Sequence, residues 1–453
     1  MTSLTHPRLS GLGRNPAAPQ DVLVRLAAHS AGRHGIRLRR GMLADAVVEA
    51  LLTYGDENSA VGLHGDRVSP AMRRRIAEHP DPAIRDAYVN FVRDMVDRGV
   101  ALGIDDLEEA YGRPRTALAG APDARLRAVV AEAWHDRPLA VQVRLLADPD
   151  PAVRAAATLR ERPGVPPEWR DRCLADPAVR VNAARHVPLT PDWFARLMRS
   201  GDEEVFAAVA KNPHLSAEMV AQLLEVDDLH VRVAVTRSRH VDEETRARIY
   251  ALVEAKDLKG SIEVRMMLDW GLADPDWLRE APVGERMRYL ESPHTPFRRV
   301  LASCRDLPAE AWQRLDNDPD LSVRRAAARR PDTPPEVLER LVRTDGDPFH
   351  LRPLHVDHPN YPRRTLRSLA DEENPHVRCV ALQDPELPVA PLRRLASADE
   401  SFLRRGVAAH PNVPDVLLAQ LLSDPEAGVA EEAAANPVLR VSRMSRILAA
   451  AGL

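Results

Sequence analysis

The chain has 453 residues, 44% of them apolar and only 4% aromatic, so it can bury a continuous core but exceeds the usual size of one globular domain. Its 63 basic and 67 acidic residues net −4, which excludes a global polycation built for nucleic acid. Three widely spaced cysteines, Cys173, Cys304 and Cys379, exclude a disulfide framework and a metal knuckle.

All but three basic residues (Lys211, Lys256 and Lys259) are arginine, the bias of a high-GC bacterial genome. Residues 1–30 show no apolar stretch after a basic start, and Met42–Leu52 is broken by Asp45 and Glu49. A soluble cytoplasmic protein without a membrane span is expected.

In chain order, Asn15-Pro16-Ala17-Ala18-Pro19 followed by Val22, Leu23 and Leu26 has the outline of a turn and a short amphipathic helix. Apolar–basic anchors follow at Ile36-Arg37, Ile84-Arg85 and Leu126-Arg127, with Val61-Gly62 in the same role. Their uneven spacing predicts an insertion near 90–120. From Val153 the anchor becomes regular: Val153-Arg154, Val179-Arg180, Val205-Phe206 and Val231-Arg232, each 26 residues apart. The rhythm fails over 251–296 and resumes at Phe297-Arg298, Val323-Arg324, Leu351-Arg352, Val377-Arg378, Leu403-Arg404 and Val429-Ala430.

Within each unit an acidic residue before the anchor (Asp148, Asp176, Asp202, Asp228, Asp320, Asp347, Asp399 or Asp424) is placed to cap a helix of about two turns. A proline eight residues after the anchor (213, 331, 359, 385, 411 and 437) ends that helix. A second punctuator, Ser216, Pro308, Pro334, Pro362, Pro388 or Pro414, suits the first turn of another helix. Apolar pairs at i, i+3 then mark its buried stripe: Phe194/Leu197, Val220/Leu223, Trp312/Leu315, Leu338/Leu341, Leu366/Leu369, Leu392/Leu395 and Leu418/Leu421.

A fixed period of this length marks a stack of supersecondary units, none able to bury its apolar face alone. The expected fold is an all-α solenoid of about 16 two-helix repeats. It divides into divergent repeats over 1–125, regular repeats over 126–250, irregular ones over 251–296, and regular repeats with a C-terminal cap over 297–453.

The pattern D-x-x-V-R-x-A-x-A-x-N-P-x-x-P-x-x-x-L-x-x-L resembles the leucine-rich-repeat-variant family and, more loosely, HEAT-like repeats. That resemblance implies alternating α and short 3₁₀ helices in a right-handed superhelix. An iron–sulfur cluster known in that family sits on cysteines ahead of the repeats. Here the first cysteine is Cys173, so no cofactor is expected.

Most eye-catching residues fall on repeat phases. The anchor arginines (Arg37, Arg85, Arg127, Arg154, Arg180, Arg232, Arg265, Arg298, Arg324, Arg352, Arg378 and Arg404) could track phosphates, but nearby carboxylates favour pairing between repeats. Trp193 and Trp312, with Trp169 and Trp277, fall near core phases, which leaves Trp134 and Trp270 as surface candidates. His350, His355 and His358 have a metal-like spacing, yet His358-Pro359-Asn360 repeats as His410-Pro411-Asn412, so no metal site is expected. No phosphate-binding loop, nucleophile elbow or zinc-protease motif occurs, and no catalytic residue is assigned.

Candidate partner-binding residues lie where the rhythm breaks, at Lys256, Lys259, Met267 and Trp270, and in a basic N-terminal cluster at Arg37, Arg39 and Arg40. The expected function is a non-enzymatic scaffold that binds a protein or peptide on its concave face. The alternative is a HEAT-like nucleic-acid binder using the repeat arginines and the basic N-terminus.

Overall fold

The computed structural model describes residues 4–100, 102–255, 274–347 and 352–453, which form helices and turns without a strand. The periodic anchors explain why. Val153, Val179, Val205, Val231, Phe297, Val323, Val377, Leu403 and Val429 are all buried, as are both members of every i, i+3 pair of the second helices. Short helices of this kind are marginal alone and gain stability only by stacking. The chain is an α-solenoid of two-helix repeats that separates into two compact units, residues 92–330 and residues 1–91 with 331–453.

In the unit spanning 92–330, first helices stand side by side. Ala124–Ala133 packs on Pro151–Thr158, and Arg180–His186 packs on Glu203–Ala210, which packs on Leu229–Val235. Second helices such as Pro191–Met198 and Ala217–Leu224 lean on the next repeat's first helix. One apolar core runs unbroken from Ala131 to Val241.

The capping expectation holds for three aspartates. Asp202, Asp228 and Asp320 accept backbone N–H groups of the helix that follows, at 2.9, 2.7 and 2.8 Å. Asp148, Asp176 and Asp424 instead accept an N–H two residues on, within the turn. Their remaining oxygens are left for arginine. Pro308, Pro334, Pro388 and Pro414 stand at the N-cap with extended ψ rather than inside the first turn. The α and 3₁₀ alternation implied by the resemblance appears only in part: Pro167–Trp169 and Arg363–Asp371 are 3₁₀, whereas most second helices are α.

The other unit joins the two ends of the chain. Its first helices run Pro375–Ala381, Ser401–Ala409, Ala427–Ala435, and then continue with Thr5–Arg14 and Ser30–Leu38. Gln20–Leu26 likewise follows Val441–Ala450 in the row of second helices. The C-terminal repeat, expected as a cap, is therefore itself covered by the N-terminal one.

An asparagine device proves that the register is the same across this seam. Asn436 Nδ2 donates to the carbonyls of Ala408 and His410 in the preceding repeat, and its Oδ1 accepts the N–H of Val438. Asn212 does the same to Ala184, Val187 and His214. Asn15 does it to Ala434, Asn436 and Ala17. Each satisfies helix-end carbonyls that would otherwise be buried without partners.

Candidate functional site

Most anchor arginines among the described residues are spent on the fold. Arg127 grips Asp148 of the next repeat through Nε and Nη2 at 2.7 and 2.8 Å, and Arg298 grips Asp318 at 2.7 and 3.0 Å. Arg404 holds Asp424 at 2.8 and 3.1 Å, Arg154 holds Asp176 at 2.6 Å, and Arg378 lies 3.3 Å from Glu400. Several also donate backwards to turn carbonyls five and six residues earlier, as Arg127, Arg154, Arg324 and Arg404 do. Arg180 and Arg232 donate backward to carbonyls at 3.1 and 2.7 Å, and Arg232 also lies 3.4 Å from the Asp227 carboxylate of its own turn. The fork geometry of guanidinium on carboxylate makes each pair a staple between repeats.

These staples set an acid limit on stability. The hydrogen bond from Arg127 holds Asp148 below the ordinary carboxylate range, and that from Arg154 does the same for Asp176. A carboxylate depressed in the folded state contributes stability that is complete above its ordinary value near 3.8 and lost as pH falls through its folded value. Thermal melting between pH 7 and 2 should therefore decline steeply only below about pH 4. The decline should flatten in Asp148→Asn; an unchanged slope in that variant would refute the staple.

Several tryptophans depart from the expectation drawn from their phase. Trp134, read as a surface candidate, is 5% exposed at the end of helix Ala124–Ala133. It stays there because its carbonyl accepts from the buried Arg137, which also reaches Gln142, Ala131 and Ala157. Trp169 and Trp193, read as core, are only half-buried, with one edge against the apolar core. Trp312 is buried as expected, and Trp277 is half-buried with Nε1 donating to the Arg237 carbonyl at 2.7 Å.

Trp169 and Trp193 line two adjoining surface concavities. A concavity of 480 Å³ is lined by Asp148, Arg154, Trp169, Arg172, Cys173 and Asp176, among others. A second, of 570 Å³, shares Arg172 and Ala175 with it and adds Asp171, Thr190, Asp192, Trp193 and Arg196. The Arg172 guanidinium lies 4.2 Å from the Trp169 ring centre, and Arg196 lies 5.1 Å from that of Trp193. Asp171 accepts the Trp193 indole N–H at 2.7 Å and so fixes that ring. Both arginines are exposed, so each indole–guanidinium pair offers a flat apolar face beside forked donors.

The groove's titratable groups are poorly suited to chemistry. Burial pushes the Cys173 thiol up to about 11, which leaves it protonated and a weak nucleophile at neutral pH. Asp148 and Asp176 are depressed and already paired, which makes them weak bases.

The other candidates divide. Lys256, Lys259, Met267 and Trp270, and the anchor Arg265, lie outside the described residues. Arg39 donates to the carbonyls of Asn15 and Pro16, and burial lowers its basicity. Arg37 and Arg40 are exposed on and just beyond helix Ser30–Leu38. His358 and His410 each accept a turn N–H, from Asn360 and Asn412, at 3.1 and 3.0 Å, as repeat positions do. Among the described residues no group of three His, Cys, Asp or Glu side chains is placed to hold a metal.

Comparison with known proteins places one repeat clearly. Residues 322–348 match the family model described as "Leucine rich repeat variant". No curated protein sequence matches the chain. Among solved structures, Kap121p bound to Nup53p overlaps 96% of this chain and 52% of its own length, at 12% identity and TM-score 0.24. The karyopherin Kap121p bound to the extreme C-terminus of the phosphatase Cdc14p overlaps 95% and 51%, at 13% identity and TM-score 0.23. An engineered protein overlaps 98% and 99%, at 14% identity and TM-score 0.17. The chain spans about half the length of the karyopherin it overlaps, and overlaps this weak carry no functional information. The matched repeat begins one 26-residue step after the Phe297-Arg298 unit, and the chain is a helical repeat protein that resembles the leucine-rich-repeat-variant family.

Proposed function

We propose that this chain is a non-enzymatic repeat scaffold that binds a protein or peptide segment through the groove at Trp169 and Trp193. One observation carries the reading: two indole–guanidinium pairs stand half-open on adjacent repeats, in concavities of 480 and 570 Å³. Tryptophan and arginine are the side chains that most often dominate binding energy at protein interfaces. A solenoid presents them at repeat spacing, which suits an extended polypeptide more than a compact metabolite.

The nucleic-acid alternative is weakened, because Arg127, Arg154, Arg298 and Arg404, which it needs to track phosphates, already serve carboxylates. The test is selection of peptides from a displayed library on the wild-type protein, followed by titration on variants. Trp193→Ala and Arg172→Ala should each weaken the selected peptides by about tenfold or more while leaving the melting temperature within a few degrees. Failure to enrich any peptide, together with salt-dependent retention of duplex DNA, would overturn the reading in favour of the alternative.

A further inference from the structure

A second cluster of cations lies in the same unit, away from the anchor column. In three consecutive repeats, Arg185 is the penultimate residue of the first helix, Lys211 directly follows it and Arg237 lies two residues beyond it, each six residues after the anchor. The repeat itself does not ask for a charge there. Leu159, Ser303, Gln383 and Ala409 hold the same position elsewhere, Arg67 and Arg329 repeat the positive charge singly, and Glu132 and Asp357 carry the opposite one. A cation near a helix C-terminus gains from the helix dipole, but that gain applies to each helix singly. It does not account for three cations on neighbouring helices that repel one another.

The three are half-buried and close enough to interact. Arg237 Nη2 donates to the Lys211 carbonyl at 2.6 Å, which ties two rungs together. The buried Arg185 Nε has no hydrogen-bond partner. Among the described residues none of the three forms an ion pair. Lys211 is held below the usual lysine value by burial first and then by Arg185 and Arg237. Burial also lowers His186, with Arg185, Arg237 and His214 adding to it and Glu161 opposing. Burial lowers Arg237 too, with Asp276 opposing it. Asp276 therefore faces Arg237 and Glu161 faces the neighbouring His186, while the charges acting on Lys211 are both cationic.

We infer that Arg185, Lys211 and Arg237 form a ladder that binds a carboxylate-rich, extended segment of a protein partner. Packed helices stand about 8–10 Å apart, and a chain in the polyproline II conformation advances about 3.1 Å per residue with three residues per turn, so the rungs match Asp or Glu on one face at every third position. A polypeptide is favoured over a nucleic acid because three rungs, on a chain of net charge −4, are too few to track a phosphate backbone. The proposal rests on the protein-binding reading but concerns a surface separate from the tryptophans.

The experiment is fluorescence anisotropy of a labelled peptide with Glu at every third residue, its Gln counterpart, and a single-stranded thymidine oligonucleotide. The Glu peptide should bind the wild type at least about tenfold more tightly than the Gln peptide, and more weakly as salt rises. Arg185→Ala with Lys211→Met should abolish that difference, whereas Arg329→Ala should retain it. Lys211→Met keeps the apolar stem, and a melting curve confirms that the variant folds. Equal or absent binding of both peptides, or tighter binding of the oligonucleotide that the same variants remove, overturns the ladder. Such a result leaves the tryptophan groove standing, because peptides selected there are lost through Trp193→Ala and not through Lys211→Met.

Discussion

Replacing Gly11 by valine should open the seam between the first and last repeats. A Cβ at Gly11 would lie 2.1 Å from the Glu431 carbonyl oxygen and 2.8 Å from the Ala434 Cβ, with backbone on the contact side. Neither can move without displacing a helix, since Gly35 meets the Ser10 carbonyl on the other face at 2.0 Å by the same measure. Overpacking at such a contact costs about 3 kcal/mol, and here it also frees the Asn15 hydrogen bonds to Ala434 and Asn436. Val429, Ala430, Ala433 and Ala434 would lose their cover.

The expected readouts are a lower melting temperature and faster proteolysis of the first 40 residues. A circular permutant gives the converse result. Opening the chain at the exposed Gly41 and joining Leu453 to Thr5 through a flexible linker of roughly 12 residues should retain wild-type melting. It should also relieve the valine variant in part, by making the seam contiguous in sequence. A wild-type melt for Gly11→Val, or an unfolded permutant, would show that the ends do not share one register.

Arg298→Ala should be the most damaging single change among the anchor arginines. Arg298 is 8% exposed and Asp318 7%, and the guanidinium is also bound by the Ser292 carbonyl at 2.6 Å. Removing one partner of a buried pair strands the other charge, at a cost of about 3–5 kcal/mol. The double change Arg298→Met with Asp318→Leu should recover most of that loss, because an apolar pair of similar volume carries no desolvation penalty. Chemical denaturation of the three variants separates the pair from its packing. A double variant as unstable as Arg298→Ala would show that hydrogen bonds to the neighbouring carbonyls, not the ion pair, hold this junction. The same set measures the nucleic-acid alternative: retention of DNA by wild type that disappears in Arg298→Ala would restore the phosphate-tracking role.

Much of this protein is legible in its sequence, because a solenoid repeats local rules. Every regular anchor that the period picks out among the described residues is buried, and so is each apolar pair of the second helices, from Phe194/Leu197 to Leu418/Leu421. The aspartates were only half legible. Their distance to the anchor predicts a cap, but Asp202 caps while Asp148 binds Arg127, a choice set by which residue two places on takes the cap instead. The tryptophans were misread for a similar reason. Phase tells which side of a helix a residue occupies, not whether the next repeat is wide enough to cover an indole, and Trp193 outgrows its cover while Trp134 does not.

The candidate sites show the same division. The groove could have been suspected from Arg172 and Arg196, each placed three residues after Trp169 and Trp193, one helical turn along the same face. The cation ladder could have been found by reading down the sixth column after the anchor, where only Arg185, Lys211 and Arg237 place cations on three consecutive repeats. Sequence by itself determined the repeat, its period, its two-helix unit and its buried stripe, since each depends on residues within about 26 positions of one another. Only the tertiary structure decided that Asn15 takes its place after Asn436 and that the anchor arginines reach forward into the next repeat. It also decided that two indoles stay open. Those outcomes depend on which surfaces meet in space, and a period encodes the spacing of its units but not what stands against each one.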